Sequence, residues 1–309
     1  MMLNEQLNSN LNVEKSSEAL LSQKKINTLV ADFTSQVRIK TLLNIEYAVK
    51  DGYSLHLHLL QPDYIKLENK KYPLIVFTQG SAWRKQNLGN ELVQLGEIAR
   101  RGYQVAIVQY RESDIAPFPA QTIDIKSAAS FLITNAEQYQ IDIKNIILWG
   151  DSSGAHTSLM VAATDENPNF KDEHCIIDSI KPKAVIDFYG PVNISTMHQE
   201  SSDQDHVSAD SPEGRLIGGK NIIGNFDLAR TTDPTQYMDK NFPPTLIIHG
   251  NADNIVPYEQ SVYLYHILIK LGIEVEMFNL HGAAHGGSAF WTKEIIDLVE
   301  EFIKKQLQK

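Results

Sequence analysis

Asn145-Ile146-Ile147-Leu148-Trp149-Gly150-Asp151-Ser152-Ser153-Gly154-Ala155-His156-Thr157-Ser158-Leu159-Met160 reads as a strand, a tight turn and a helix in immediate succession. The apolar run 145–149 enters, Gly-Asp-Ser-Ser-Gly turns, and small and apolar residues leave it. A G-x-S-x-G pentapeptide is a short motif, and it gains weight in this strand-to-helix context. Small residues must flank Ser152 for the chain to reverse so sharply. The turn then holds the hydroxyl clear at the end of a sheet, above a helix N-terminus.

Working outward, strand-like alternation appears at Arg38–Leu42 and Ser54–Leu60, with Asp51-Gly52 between them, and suggests an opening antiparallel pair. Beyond the charged turn 68–71 the pattern changes. Pro73–Thr78, Gln104–Tyr110, Asn145–Trp149, Lys183–Tyr189, Pro244–His249 and Glu274–Leu280 are continuous apolar runs. Parallel strands buried on both faces require such runs. Amphipathic helical patterns fill the gaps at Glu91–Arg101, Thr122–Tyr139, Glu259–Leu271 and Thr292–Gln306. Strands alternating with helices give right-handed βαβ units, so the fold class is α/β with a doubly wound, mostly parallel sheet. The polar residues 1–33 are expected to form a peripheral arm, followed by one domain over 34–309. Residues 191–241 break the rhythm with turns, charges and short helical pieces. They are read as a small lid insertion over the carboxyl edge of the sheet.

Composition narrows the classes. The 309 residues carry 42% hydrophobic and 21% charged residues, ordinary for a globular chain with a sizeable core. Twenty-eight Lys and Arg against 38 Asp and Glu give a formal charge of −10 with no dense basic run, so neither nucleic acid nor an anionic membrane surface is an expected partner. Cys175 is the single cysteine, which excludes an intrachain disulfide and a cysteine-based metal site. Residues 1–25 lack the apolar core of a signal peptide, and no later run reaches the ~18 apolar residues of a membrane span. Cytoplasmic residence is the default expectation, and the sequon Asn193-Ile194-Ser195 is read as coincidental.

A serine hydroxyl is a weak nucleophile at neutral pH and needs a base beside it. Imidazole is the usual base, oriented by a carboxylate. Asp253 lies in Gly250-Asn251-Ala252-Asp253-Asn254-Ile255-Val256-Pro257, after the strand ending at His249. His285 lies in His281-Gly282-Ala283-Ala284-His285-Gly286-Gly287, after the strand ending at Leu280. Alone, a loop Asp is an ordinary turn former and a loop His an ordinary solvated side chain. Ser, acid and His in this order on successive strand ends reverse that reading. His281 is a rival base, placed less freely at a strand end. Asp187 is a rival acid, flanked by core-like Ile186 and Phe188. His156 is expected to pack beneath the turn. A developing oxyanion needs preorganised N–H donors, expected from Ser153 and from the loop Thr78-Gln79-Gly80-Ser81-Ala82-Trp83 after an apolar strand. Residues 197–206 hold two His and three acids and are read as solvated lid rather than a metal site. Asp172-Glu173-His174-Cys175 is likewise read as a surface run.

Across residues 45 to 305 the chain resembles α/β-hydrolase esterases of the hormone-sensitive-lipase-like and bacterial feruloyl-esterase-like (BD-FAE) group. The matching stretches are Gln79–Trp83 (for that group's His-Gly-Gly-x-Trp), Tyr110-Arg111, Phe118–Ala120, Asp124–Ala129, Trp149–His156, Ser211–Gly219, His249–Pro257 and Gly282–Gly286. The resemblance implies an α/β-hydrolase fold with Ser152 as nucleophile, Asp253 as acid and His285 as base. It also implies backbone oxyanion donors at Ser81, Ala82 and Ser153, with Gly80 and Trp83 against the substrate and Tyr189 and Trp291 near the pocket. No cofactor or metal is implied. The expected partner is a small-molecule ester, in particular an acetylated or feruloylated sugar cleaved through an acyl-enzyme. The alternative is an amide hydrolase, such as an arylformamidase or small peptidase, on the same residues. One departure concerns the oxyanion loop: Gln79 replaces the group's histidine and Ser81 its second glycine, a change expected to narrow the approach to the ester.

Overall fold

The apolar runs become eight strands of one sheet: β1 Val37–Lys50, β2 Tyr53–Tyr64, β3 Tyr72–Thr78, β4 Gln104–Val108, β5 Ile141–Asp151, β6 Ala184–Phe188, β7 Thr245–Gly250 and β8 Val275–Leu280. This computed structural model describes residue 29 and residues 37–64 and 70–309. The expected arm over residues 1–33, Leu29 excepted, and residues 68 and 69 of the charged turn lie outside the described residues. Val37–Lys309 form one compact unit.

The strands lie in the order β1-β2-β4-β3-β5-β6-β7-β8. β1 and β2 pair antiparallel, and β2 pairs antiparallel with β4. Every other neighbour is parallel. The opening pair turns at Asp51 and Gly52, whose φ values of 52° and 78° are the left-handed pair that matches strand twist. Along β3 the side chains alternate between two cores. Leu74 and Val76 join one cluster with Leu148 and Leu264, while Ile75 and Phe77 join another with Trp149 and Phe302. Both faces of the central sheet are therefore covered, as continuous apolar runs demand. β8 departs from this: it is an edge strand with one neighbour, and Phe278 and Asn279 are exposed.

The described helices are α1 Leu92–Arg100, α2 Ala120–Thr134, α3 Ala136–Tyr139, α4 Ser153–Ala163, α5 Pro212–Leu216, α6 Phe226–Arg230, α7 Tyr258–Leu271 and α8 Lys293–Leu307. The pattern read as one helix over 122–139 is interrupted at Asn135 between α2 and α3. α4 is buried almost all round, which fits its small and apolar sequence. The run 172–175 is not merely surface. Lys50 Nζ bridges Asp124 (2.9 Å) and Asp172 (2.6 Å), and Arg111 grips Asp124 at 2.9 Å, tying the end of β1 to α2. Among the described residues no helix is long and apolar enough to cross a membrane.

Candidate active site

Ser152 sits between the end of β5 and the start of α4 at φ 49° and ψ −129°, a conformation a side-chain-bearing residue adopts only where its surroundings impose it. Those surroundings leave no room for larger neighbours. A Cβ on Gly150 would lie 2.4 Å from Gly154, and one on Gly154 would lie 2.0 Å from the Thr78 carbonyl. The Ser152 N–H donates to Phe188 O at 2.8 Å, fixing the turn to β6.

The loops after β7 and β8 bring the other two candidates to this point. Ser152 Oγ lies 2.8 Å from His285 Nε2, and His285 Nδ1 lies 2.6 Å from Asp253 Oδ2. A carboxylate only accepts, so Nδ1 carries the proton and Nε2 is left to accept from the serine hydroxyl. Asp253 Oδ1 also accepts the backbone N–H groups of Ile255 (2.9 Å) and Val256 (3.0 Å). Burial pushes the Asp253 carboxyl up, but hydrogen bonds from His249 and His285 outweigh it and hold the group well below the usual carboxylate range. The arrangement can move a proton from hydroxyl to imidazole and hold the resulting imidazolium against a fixed negative charge.

The rivals are placed elsewhere. His281 is exposed and meets Asn251 at 3.1 Å. Asp187 is fully buried and accepts from the Gly190 N–H at 2.9 Å; burial pushes its pKa up to about 7. His156 lies beneath the turn, bonded to Thr232 O at 2.8 Å, and burial lowers it to about 4.

The oxyanion loop needs a correction. Ser81 N–H donates to Ser153 Oγ at 2.9 Å, as does Trp83 N–H at 3.1 Å, so the Ser81 donor is engaged by the side chain next to the nucleophile. Among the described residues the N–H groups of Ala82 and Ser153 have no protein acceptor. The Ser81 hydroxyl is likewise taken up within the loop, donating to Arg84 O at 2.7 Å with Tyr110 Oη at 3.0 Å. Gly80 N–H donates to Asp151 Oδ1 at 2.7 Å.

A cavity of about 560 Å³ opens on Ser152 and His285, lined by the loop Gly80–Ala82, by Glu91, Gln94 and Asp151, and by Tyr189, Ile255 and Trp291. Gly80, Tyr189 and Trp291 line this cavity. Trp83, expected against a substrate, does not. Its left-handed φ of 53° turns the indole into the core, where it is 1% exposed and meets His156 edge-on at 5.1 Å. The insertion 191–241 contributes no side chain to this wall. It docks instead beside the acid loop. Ser202 Oγ reaches Asn254 O (3.1 Å) and Ile255 O (3.0 Å), and Asp203 binds Asn254 through side chain and backbone. His206, read as solvated, is buried between Glu213 (3.1 Å) and Ser202 (2.9 Å).

Sequence reasoning missed His249, whose Nε2 meets Asp253 Oδ2 at 3.1 Å while Nδ1 meets Ser261 Oγ at 2.7 Å. The available signal was a polar residue at the end of an otherwise apolar buried strand. Glu91 and Gln94 gave no comparable signal, because helix amphipathicity accounts for both.

The family model described as BD-FAE matches residues 63–268. Esterase LipC of Mycobacterium tuberculosis is 25% identical over 71% of this chain and 54% of its own length, so the chain spans about half of that relative. Two solved structures share 27% identity. "Truncated form of carbohydrate esterase from gut microbiota" superposes with a TM-score of 0.77 over 90% of this chain and 99% of its own. A bifunctional GH43-CE protein of Bacteroides eggerthii superposes with a TM-score of 0.73 over 86% of this chain and 38% of its own.

Proposed function

Because the chain belongs to the BD-FAE family, with the α/β-hydrolase fold described above, we propose that it is a serine carboxylesterase acting on small acyl esters through an acyl-enzyme. The observation that carries the reading is the relay Ser152–His285–Asp253, at 2.8 Å and 2.6 Å, drawn from three strand ends onto one rim. In the proposed reaction His285 Nε2 accepts the Ser152 proton as Oγ attacks the ester carbonyl. The Ala82 and Ser153 N–H groups receive the oxyanion, in a site where preorganised donors are worth far more than in water. His285 then gives its proton to the departing alcohol, and water repeats the sequence to release the acid. Acetylated or feruloylated sugars are the proposed substrates. The carbohydrate esterase among the structural neighbours and the polar side chains of Glu91, Gln94 and Asp151 on the cavity wall support this.

Fluorophosphonate labelling followed by peptide mass spectrometry tests the nucleophile. The label is expected on Ser152, and Ser152→Ala is expected to lose at least ~10⁴-fold in kcat on p-nitrophenyl acetate. A label elsewhere, or undiminished turnover by the variant, refutes the assignment. Formyl and aminoacyl amides belong in the same assay, since amide turnover exceeding ester turnover would replace the ester reading with an amide one.

A further inference from the structure

One carboxyl on the cavity wall has no part in the proposed reaction. Glu91 stands immediately before α1, and its Oε2 accepts from Gln79 Nε2 at 2.8 Å. Gln79 Oε1 in turn accepts the Asn87 N–H at 2.8 Å, so the amide is tied at both ends and holds Glu91 in place. The other acid on the wall, Asp151, is already engaged by the Gly80 N–H at 2.7 Å and the Tyr189 hydroxyl at 3.3 Å. None of the residues lining the cavity is a lysine or arginine. Burial pushes both acids up, Glu91 to about 7 with the neighbouring Asp151 adding to it, and Asp151 to about 6 although His285 draws it down. A site that already strains to hold negative charge disfavours a second one and favours a donor.

We propose that Glu91 determines specificity, accepting a hydrogen bond from a donor group beside the scissile ester and turning away substrates that carry a carboxylate or phosphate there. The inference rests on the esterase reading and names the substrate class for it: esters flanked by hydroxyl or ammonium groups. Tyr189, Ile255 and Trp291 supply the apolar part of the same wall, so the bound group presents both a polar edge and a carbon face.

The test compares kcat/KM for three acetates, each divided by the value for p-nitrophenyl acetate: an acetylated methyl glycoside, protonated 2-(dimethylamino)ethyl acetate and acetoxyacetate. Glu91→Leu is expected to lower the ratio for a donor-bearing acetate about tenfold, the scale of one lost hydrogen bond. A fall confined to the glycoside identifies hydroxyl as the donor, and one confined to 2-(dimethylamino)ethyl acetate identifies ammonium. Glu91→Gln preserves shape and hydrogen-bonding capacity and is expected to raise the acetoxyacetate ratio severalfold while keeping the glycoside ratio. Ratios unchanged in both variants, with p-nitrophenyl acetate still hydrolysed, overturn the role of Glu91 alone. Absence of turnover on every ester, with Ser152 unlabelled by fluorophosphonate, overturns the esterase reading and this proposal together.

Discussion

His249 has no exposed surface and spends both ring nitrogens, Nδ1 on Ser261 and Nε2 on Asp253 and Val256 O. Serine can donate to Nδ1 while the other two partners only accept at Nε2, so the ring is held as the Nε2–H tautomer. That N–H reaches the same Oδ2 that receives His285. The carboxylate is thus braced from the core side as well as from the solvent side. Replacing the ring with an apolar one, His249→Phe, removes the brace and leaves Ser261 without a partner. The expected result is a fall in kcat of about tenfold with little change in KM, since the change acts on a group that does not touch substrate. A loss of about 1–3 kcal/mol in stability accompanies it. Steady-state kinetics and thermal melting of the variant check both, and a rise in KM with kcat preserved would refute the bracing role. Ser152, Asp253 and His285 were legible because strand ends, small residues and chain order mark them. His249 was not, because it is the last residue of a run that is apolar but for Thr245, and a strand reading absorbs it.

Among elements, the strands were legible almost throughout because two periodicities separate them, alternation for the opening pair and continuous apolar runs for the buried ones. Short elements within 191–241 were legible only as an insertion. Where that segment goes depends on contacts with residues 254 and 255, far away in sequence, and no local pattern encodes them. The clasp that secures it is electrostatic. The Ser202 hydroxyl points at backbone oxygens, so His206 Nε2–H donates to Ser202 while Nδ1–H donates to Glu213, and the imidazole carries both protons. Burial lowers the His206 pKa, but hydrogen bonding and charge attraction from Glu213 outweigh it and raise the group above its usual value. A base raised on folding stabilises fully below its unfolded pKa of about 6.5, and the contribution disappears as pH climbs through the higher folded value. Thermal melting between pH 6 and 8 is expected to show the parent losing roughly 2–4 °C more than His206→Gln over that interval. Parallel pH profiles for the two proteins would remove the clasp from the account.

For the molecule as a whole, one sheet carries three distant residues to a common rim, and a chain with a net charge of −10 is expected to repel anions as they approach it. Raising salt from about 0.01 to about 0.15 M shortens the screening length from roughly 30 to roughly 8 Å. The kcat/KM for an anionic ester such as acetoxyacetate is therefore expected to rise severalfold over that range, while a neutral acetate changes little. Equal salt dependence for both esters, measured at constant pH, would show that the overall field does not reach the cavity. Sign and size of the charge were legible from composition, whereas the absence of cations from the cavity wall needed the folded chain.

The insertion leaves the hole of about 560 Å³ uncovered. On the proposed esterase reading, no part of the insertion has to swing aside for an ester to arrive or an acid to depart, and a gate in that segment is not expected to limit turnover. The insertion therefore sets no ceiling on the bulk of the alcohol that the proposed reaction releases. On that reading only the reacting end of a molecule has to enter, and the insertion leaves the remainder, even of a long chain, room to extend outward.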